Sequence, residues 1–247
     1  MKDKFIPVNN DVNKAIAFAN TLDSNNIKNV QKLNPPQYYI DTLEVVKVLQ
    51  NEGWTLHGVD EFRNKQRRVM SNFVQMKHPD LKLFEGGKTE AVASITISNS
   101  CDGKKPLEMS LGVYRQICSN GLIVREEFAT ERIKHIEMDY NNLYSKIMLF
   151  GNKTDKVLNK FTSLKQHELN DSDVIKLARE AAFLRYEDSE VNDRVDALLR
   201  VSRLEDEGNN LWRVYNRIQE NLTHDVRNPN LNIKLNQQLF ALAESYI

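Results

Sequence analysis

The apolar positions of this chain follow two different periods. At both ends they recur every third or fourth residue, and in a central stretch from residue 54 they recur every second residue. In "DVNKAIAFANTL", residues 11–22, Val12, Ala15, Ile16, Ala19 and Leu22 share one helical face, so a short amphipathic helix is expected. Pro35-Pro36 breaks the chain before a second helix. There "QYYIDTLEVVKVLQNEG" aligns Ile40, Leu43, Val46 and Leu49 and stops at Gly53. Four segments of period two follow: "WTLHGVDEF", "RRVMSNFVQMKH", "EAVASITISNS" and "LEMSLGVYRQICSNGLIV". In the third, Ala91, Ala93, Ile95 and Ile97 alternate with Val92, Ser94, Thr96 and Ser98, which predicts one buried and one polar face. Asp102-Gly103 is a hairpin signal between the third and fourth strands.

Strands without intervening helices predict an antiparallel meander. From about residue 129 the helical period returns, in "DVIKLAREAAFLRYE", "VDALLRVSRLE" and "NLWRVYNRIQENL". The fold class is therefore α+β: an antiparallel meander sheet packed with N-terminal helices, then a helical C-terminal part. Residues 1–148 are expected to form the sheet core and 149–247 the helical region, as two units or as one continuous domain. The polar stretch 149–173 is where a boundary would fall.

Charge narrows the choice of partner. Lys plus Arg equals Asp plus Glu at 34 each, and residues 1–136 hold 19 cations against 16 anions. A nucleic-acid surface must then be a local patch. The polar N-terminus and the lack of a long apolar run predict a cytoplasmic protein with no membrane contact. Two cysteines, Cys101 and Cys118, fit a reducing compartment and leave the sequons at Asn152 and Asn221 without meaning.

Tests for catalytic and metal motifs are mostly negative. "EGGKTE" lacks the first glycine of a phosphate loop, since position 82 is Lys, and it precedes a strand instead of opening a helix. A metal site would need Cys101, Cys118 and some of His57, His78, His135, His167 and His224, none of them in close ligand pairs, so neither metal nor cofactor is expected. Cys118, Asn120 and His135 could supply a thiol, an orienting amide and a base, but no second signature accompanies them. No catalytic residue is assigned, and the chain reads as a binding protein more than as an enzyme.

Two cationic features remain. In "FRNKQRR" an extended backbone would turn Arg63, Lys65 and Arg67 to one face and Arg68 to the other, with Trp54 and Phe62 nearby in sequence as stacking groups. The plainer reading is a solvated hairpin turn. Arg115 shares the parity of Leu111 and Val113, so alternation points its guanidinium at the apolar face. Either the strand bulges, or Arg115 meets an acid or an anionic ligand, and a structural ion pair is the expected answer. Ser119, Asn120 and Gly121 have the chemistry to end the strand and turn the chain.

The hairpin "ISNSCDGKKP", the block "YRQICSNGLIV", the element "RIKHI" and the helix "NLWRVYNRIQENL" together resemble a phage- and plasmid-associated family known as domain of unknown function 932. Where that family usually has His before Asp-Gly, this chain has Cys101. The resemblance implies a family-motif pocket of Asp102, Gly103, Arg115, Cys118, Ser119, Asn120, Gly121 and His135. The order of helix, "EGW", meander and helix is also similar to the core of single-strand annealing recombinases, which assemble into rings.

Two functions follow as expectations. One is a nucleic-acid-binding protein of a phage or plasmid, binding or annealing single-stranded DNA in recombination or replication, as a homo-oligomer, through Trp54, Arg63, Lys65, Arg67 and Arg68. The other is an accessory or anti-defence protein that binds a host protein or a small phosphorylated ligand near Arg115, Asn120 and His135.

Overall fold

The structure, a computed structural model, describes residues 6–7, 40–63, 69–85, 88–100, 105–115, 120–123, 129–135 and 140–247. The helix expected at 11–22 lies outside these residues. Helix α1, Thr42–Asn51, opens at Asp41, whose side chain accepts the Leu43 N–H at 2.8 Å. Val45, Val46 and Leu49 are buried along one face, and each full burial of this kind is worth about 1.5–3 kcal/mol. The chain leaves α1 through Gly53 at φ +89°, where a Cβ would stand 2.9 Å from His78 Nε2.

The strands are β1 (Ile6–Pro7), β2 (Thr55–Arg63), β3 (Val69–Glu85), β4 (Lys88–Ser100), β5 (Leu107–Arg115), β6 (Asn120–Ile123) and β7 (Thr130–Ile133). They form one sheet in the order β1-β2-β3-β4-β5-β6, every pairing antiparallel, so the expected meander is present. Two strands depart from the sequence reading. The segment expected to run from Leu107 to Val124 is two strands, with Arg115 opposite Asn120, so Asn120-Gly121 begins the return strand instead of forming the turn. Strand β7 stands where helix was expected. Because β6 covers only Gly112–Arg115, the edge of β5 at Leu107–Ser110 is open, and β7 pairs with it there.

One face of β4 carries Ala91, Ala93, Ile95 and Ile97, all fully buried, in register with Val74 and Met76 of β3 and with Met109, Leu111 and Val113 of β5. The other face was expected to be polar and open. It is polar but not open, for Ser94 is 1% and Thr96 3% exposed. Alternation distinguishes two faces; it does not say that one meets water, and Ser and Thr are compact enough to lie under a covering layer.

Six further helices follow: α2 (Tyr140–Gly151), α3 (Thr154–Gln166), α4 (Asp171–Ala182), α5 (Val191–Leu199), α6 (Leu211–Thr223) and α7 (Pro229–Glu244). The polar stretch 149–173 is thus the end of α2, all of α3 and the start of α4, and position 148 falls inside α2. The helix expected through Glu205 stops at Leu199, and a short 3-10 turn at Leu204–Asp206 comes after it. A single apolar cluster runs from Ile95 and Leu111 in the sheet through Phe150 and Phe161 to Trp212, Tyr215 and Phe240. Among the described residues no helix is long and apolar enough to cross a membrane.

Candidate functional site

The meander sorts the candidate residues to the two ends of the sheet. Arg115 closes β5 at one end. His135 lies just past Ile133, which pairs with Leu107 at the other. Eight steps of an extended strand separate these ends by about 27 Å. The two residues therefore do not share a pocket, which corrects the expectation that they hold one ligand.

At the Arg115 end the charges are buried and matched. Arg115 is 1% exposed and donates to Glu90 Oε1 from Nε at 3.3 Å and from Nη2 at 3.1 Å, and to Asp206 Oδ1 from Nη1 at 2.6 Å. Glu90 also accepts from Trp212 Nε1, and from Lys165 Nζ at 2.8 Å. Arg203 joins Asp206 to Glu220. The register explains how Glu90 reaches the apolar face. Leu83 pairs with Ala91 and Phe84 with Thr89, leaving Glu90 as the extra residue of a bulge that re-aims its side chain. Of the two options for Arg115 the ion pair is the one realised: β5 stays regular through Arg115, and the bulge lies in β4. Burial raises the Asp206 carboxyl above its ordinary value, against the opposing pull of Arg115 and Arg203, and burial lowers the Arg217 guanidinium. With two carboxylates already on it, Arg115 is a clamp between the sheet and the C-terminal helices, and no surface for a ligand is left on it.

The other end carries the exposed cations Lys105, Arg132 and Lys134. Strand β2 ends at Arg63, which pairs with Val69, so the connection 64–68 leaves and re-enters the sheet at this end. After two reversals of direction, β4 ends here at Ser100, opposite Ser71, and the connection to β5 carries Lys104 and Lys105. Strand β7 also finishes here, bringing Arg132 and Lys134. Lys65, Arg67, Arg68, Asp102, Gly103, Lys104, Cys118 and Ser119 lie outside the described residues, so for these only the connection that contains them is placed. Trp54 is 4% exposed and packs edge-on against His78 at 5.3 Å, which puts its ring in the core and away from any strand that could stack on it.

Several motif residues hold this end together. Asn99 Nδ2 donates to Ile40 O at 2.9 Å and to Thr42 Oγ1 at 3.0 Å, while His135 Nδ1 accepts the Ile40 N–H at 3.0 Å. Ser100 Oγ donates to Lys105 O at 2.8 Å and accepts from Lys105 N at 3.1 Å, fixing the base of the hairpin. Beside it a groove of about 310 Å³ opens between the polar face of the sheet and α7, lined by Ser71, Lys105, Arg132, Asn230 and Lys234 among others. Among the described residues no three of His, Cys, Asp or Glu gather as a metal site would require.

Sequence reasoning missed Glu90, Lys165, Asp206 and Lys234. Glu90 was hidden by the bulge and Asp206 by a stretch that reads as helix. The signal available for Glu90 and Asp206 was the demand of Arg115 for buried acids.

UPF0380 protein YfjQ and UPF0380 protein YafZ, both of Escherichia coli (strain K12), are 27% and 28% identical to this chain over 231 and 232 residues, spanning 85% of this chain and 82% of each relative. No solved structure matches it. Residues 37–240 match the family described as Domain of unknown function (DUF932), and the chain belongs to that family.

Proposed function

We propose that this protein binds nucleic acid, single-stranded in preference to duplex, through the basic end of its sheet. The observation that carries the reading is topological. Two basic connections, 63–68 with four cations and no acid and 101–106 with Lys104 and Lys105, emerge side by side where Ser71 pairs with Ser100. Arg132 and Lys134 extend the same end from β7. A chain with no net charge thereby carries its densest basic run at one end of the sheet, and a local basic patch is what binding along a sugar-phosphate backbone requires. With Trp54 buried, binding would rest on phosphate contacts more than on stacking at that residue. Strand annealing in recombination or replication, by several copies in the cytoplasm, is the fuller version of this reading.

The test is fluorescence anisotropy of a labelled single-stranded oligonucleotide, against duplex of equal length, over a salt series. Submicromolar binding that favours the single strand and weakens steeply with salt is expected. Absence of binding at low salt would end the reading.

A further inference from the structure

We propose that the groove between α7 and the basic end of the sheet is a phosphate-binding subsite, seating a phosphate of the bound strand between Lys105 and Lys234. The inference rests on the nucleic-acid reading and adds a defined site to it. The groove, at about 310 Å³, sits at the lower end of the range of about 300–1,000 Å³ common for small-ligand sites, which suits one nucleotide unit.

Its walls have the chemistry of an anion site. Glu108 is the one acid among its lining residues, and Arg132 Nε donates to Glu108 Oε2 at 2.7 Å, so that charge is neutralised inside the groove. Lys105 and Lys234 then add two positive charges, neither with an acidic partner among the described residues. The floor adds hydroxyl groups: Ser71, 8% exposed, lines the groove together with Ser98 and Ser100. A serine hydroxyl facing the groove can donate to a phosphate oxygen placed there. The site is also held in shape: Ser100 bonds both main-chain groups of Lys105, and the Asn228 side chain caps α7 by accepting from Asn230 N at 3.0 Å. The cations come from elements more than 120 residues apart in sequence, Lys105 beside the motif hairpin and Lys234 on the last helix, so the groove exists only in the folded chain.

The test compares wild type with Lys105→Ala, Lys234→Ala, Ser71→Ala and, as a control on the far side of α3, Lys156→Ala, in the same anisotropy titration, after circular dichroism confirms that each is folded. Each lysine variant is expected to weaken binding roughly three- to tenfold and to reduce the slope of log affinity against log salt by about 0.7, the value of one single-strand phosphate contact. Ser71→Ala should weaken binding with the slope unchanged, and Lys156→Ala should do neither. If wild type binds the oligonucleotide and both lysine variants match it in affinity and slope, the subsite is wrong while the nucleic-acid reading stands. If wild type binds no oligonucleotide, the reading falls and the strand-phosphate subsite falls with it. A titration with free adenosine 5′-monophosphate separates the remaining source of phosphate. Binding of the free nucleotide that both lysine variants lose, without oligonucleotide binding, would reassign the groove to a small phosphorylated ligand and overturn its assignment to a strand.

Discussion

The two ends of the sheet use charge in opposite ways. At one, Arg115, Lys165 and Arg203 meet Glu90, Asp206 and Glu220 in a largely buried network that ties β4 and β5 to the C-terminal helices. At the other, Lys105, Arg132, Lys134 and Lys234 stand exposed on the β4–β5 connection, β7 and its continuation, and α7. Charges taken out of water must be matched, so the first end is a structural joint. Charges left in water are available to a partner of opposite charge, which is what the proposed binding would use. The resemblance would have joined Arg115 and His135 in one pocket. The structure instead gives the arginine to the joint and the histidine to the main-chain anchor of Ile40 at the basic end.

This contrast can be broken at either end. The largest effect is expected from Arg115→Ala, which strands Glu90 and Asp206 as buried acids and should cost about 3–5 kcal/mol in urea unfolding. A loss below about 1 kcal/mol would show that water reaches the network. Trp212→Phe keeps an aromatic ring but removes the Nε1 donor to Glu90 together with part of the indole's buried volume, with a smaller expected loss of about 1–3 kcal/mol on the same urea curve. Neither change should alter the salt slope of oligonucleotide binding by the folded protein; a changed slope would mean that the two ends are not independent.

The smallest effect is one of pH. Asp206 titrates in the folded protein above its ordinary 3.8. Its contribution to stability is then fully present below that value and is lost as pH rises through the raised one. Asp206→Asn removes this dependence, so the stability of wild type relative to the variant should fall as pH rises from about 4. Parallel stability curves, or a difference of the opposite sign, would contradict the burial-dominated environment assigned to Asp206.

Much of this was legible in the sequence. Period-two apolar positions gave the meander, and the parity of Arg115 with Leu111 and Val113 required a buried partner. The identity of that partner was not legible, because parity counting places Glu90 on the opposite face and fails at a bulge, which the register alone reveals. Asp206 was obscured because "VDALLRVSRLE" keeps its helical composition past Leu199, where the backbone becomes extended. Trp54 was misjudged for another reason: an aromatic near a charge run in sequence says nothing of where it lies in the fold, and here it packs in the core before Thr55, at the opposite end of β2 from Arg63. The basic run was visible from the start. That the strand ends flanking it stand beside the end of β4 and Lys105 follows from two reversals of an antiparallel chain, and Lys234 could join Lys105 only through the packing of α7.

The most direct test of the central claim is the salt dependence of single-strand binding by wild type and by a variant with Arg63, Lys65, Arg67 and Arg68 all changed to alanine. If the basic end is the binding surface, affinity should collapse and the slope of log affinity against log salt should shrink by about 2.8, four phosphate contacts at about 0.7 each, with urea stability unchanged. Equal slopes for the two proteins would place the binding elsewhere and contradict the account.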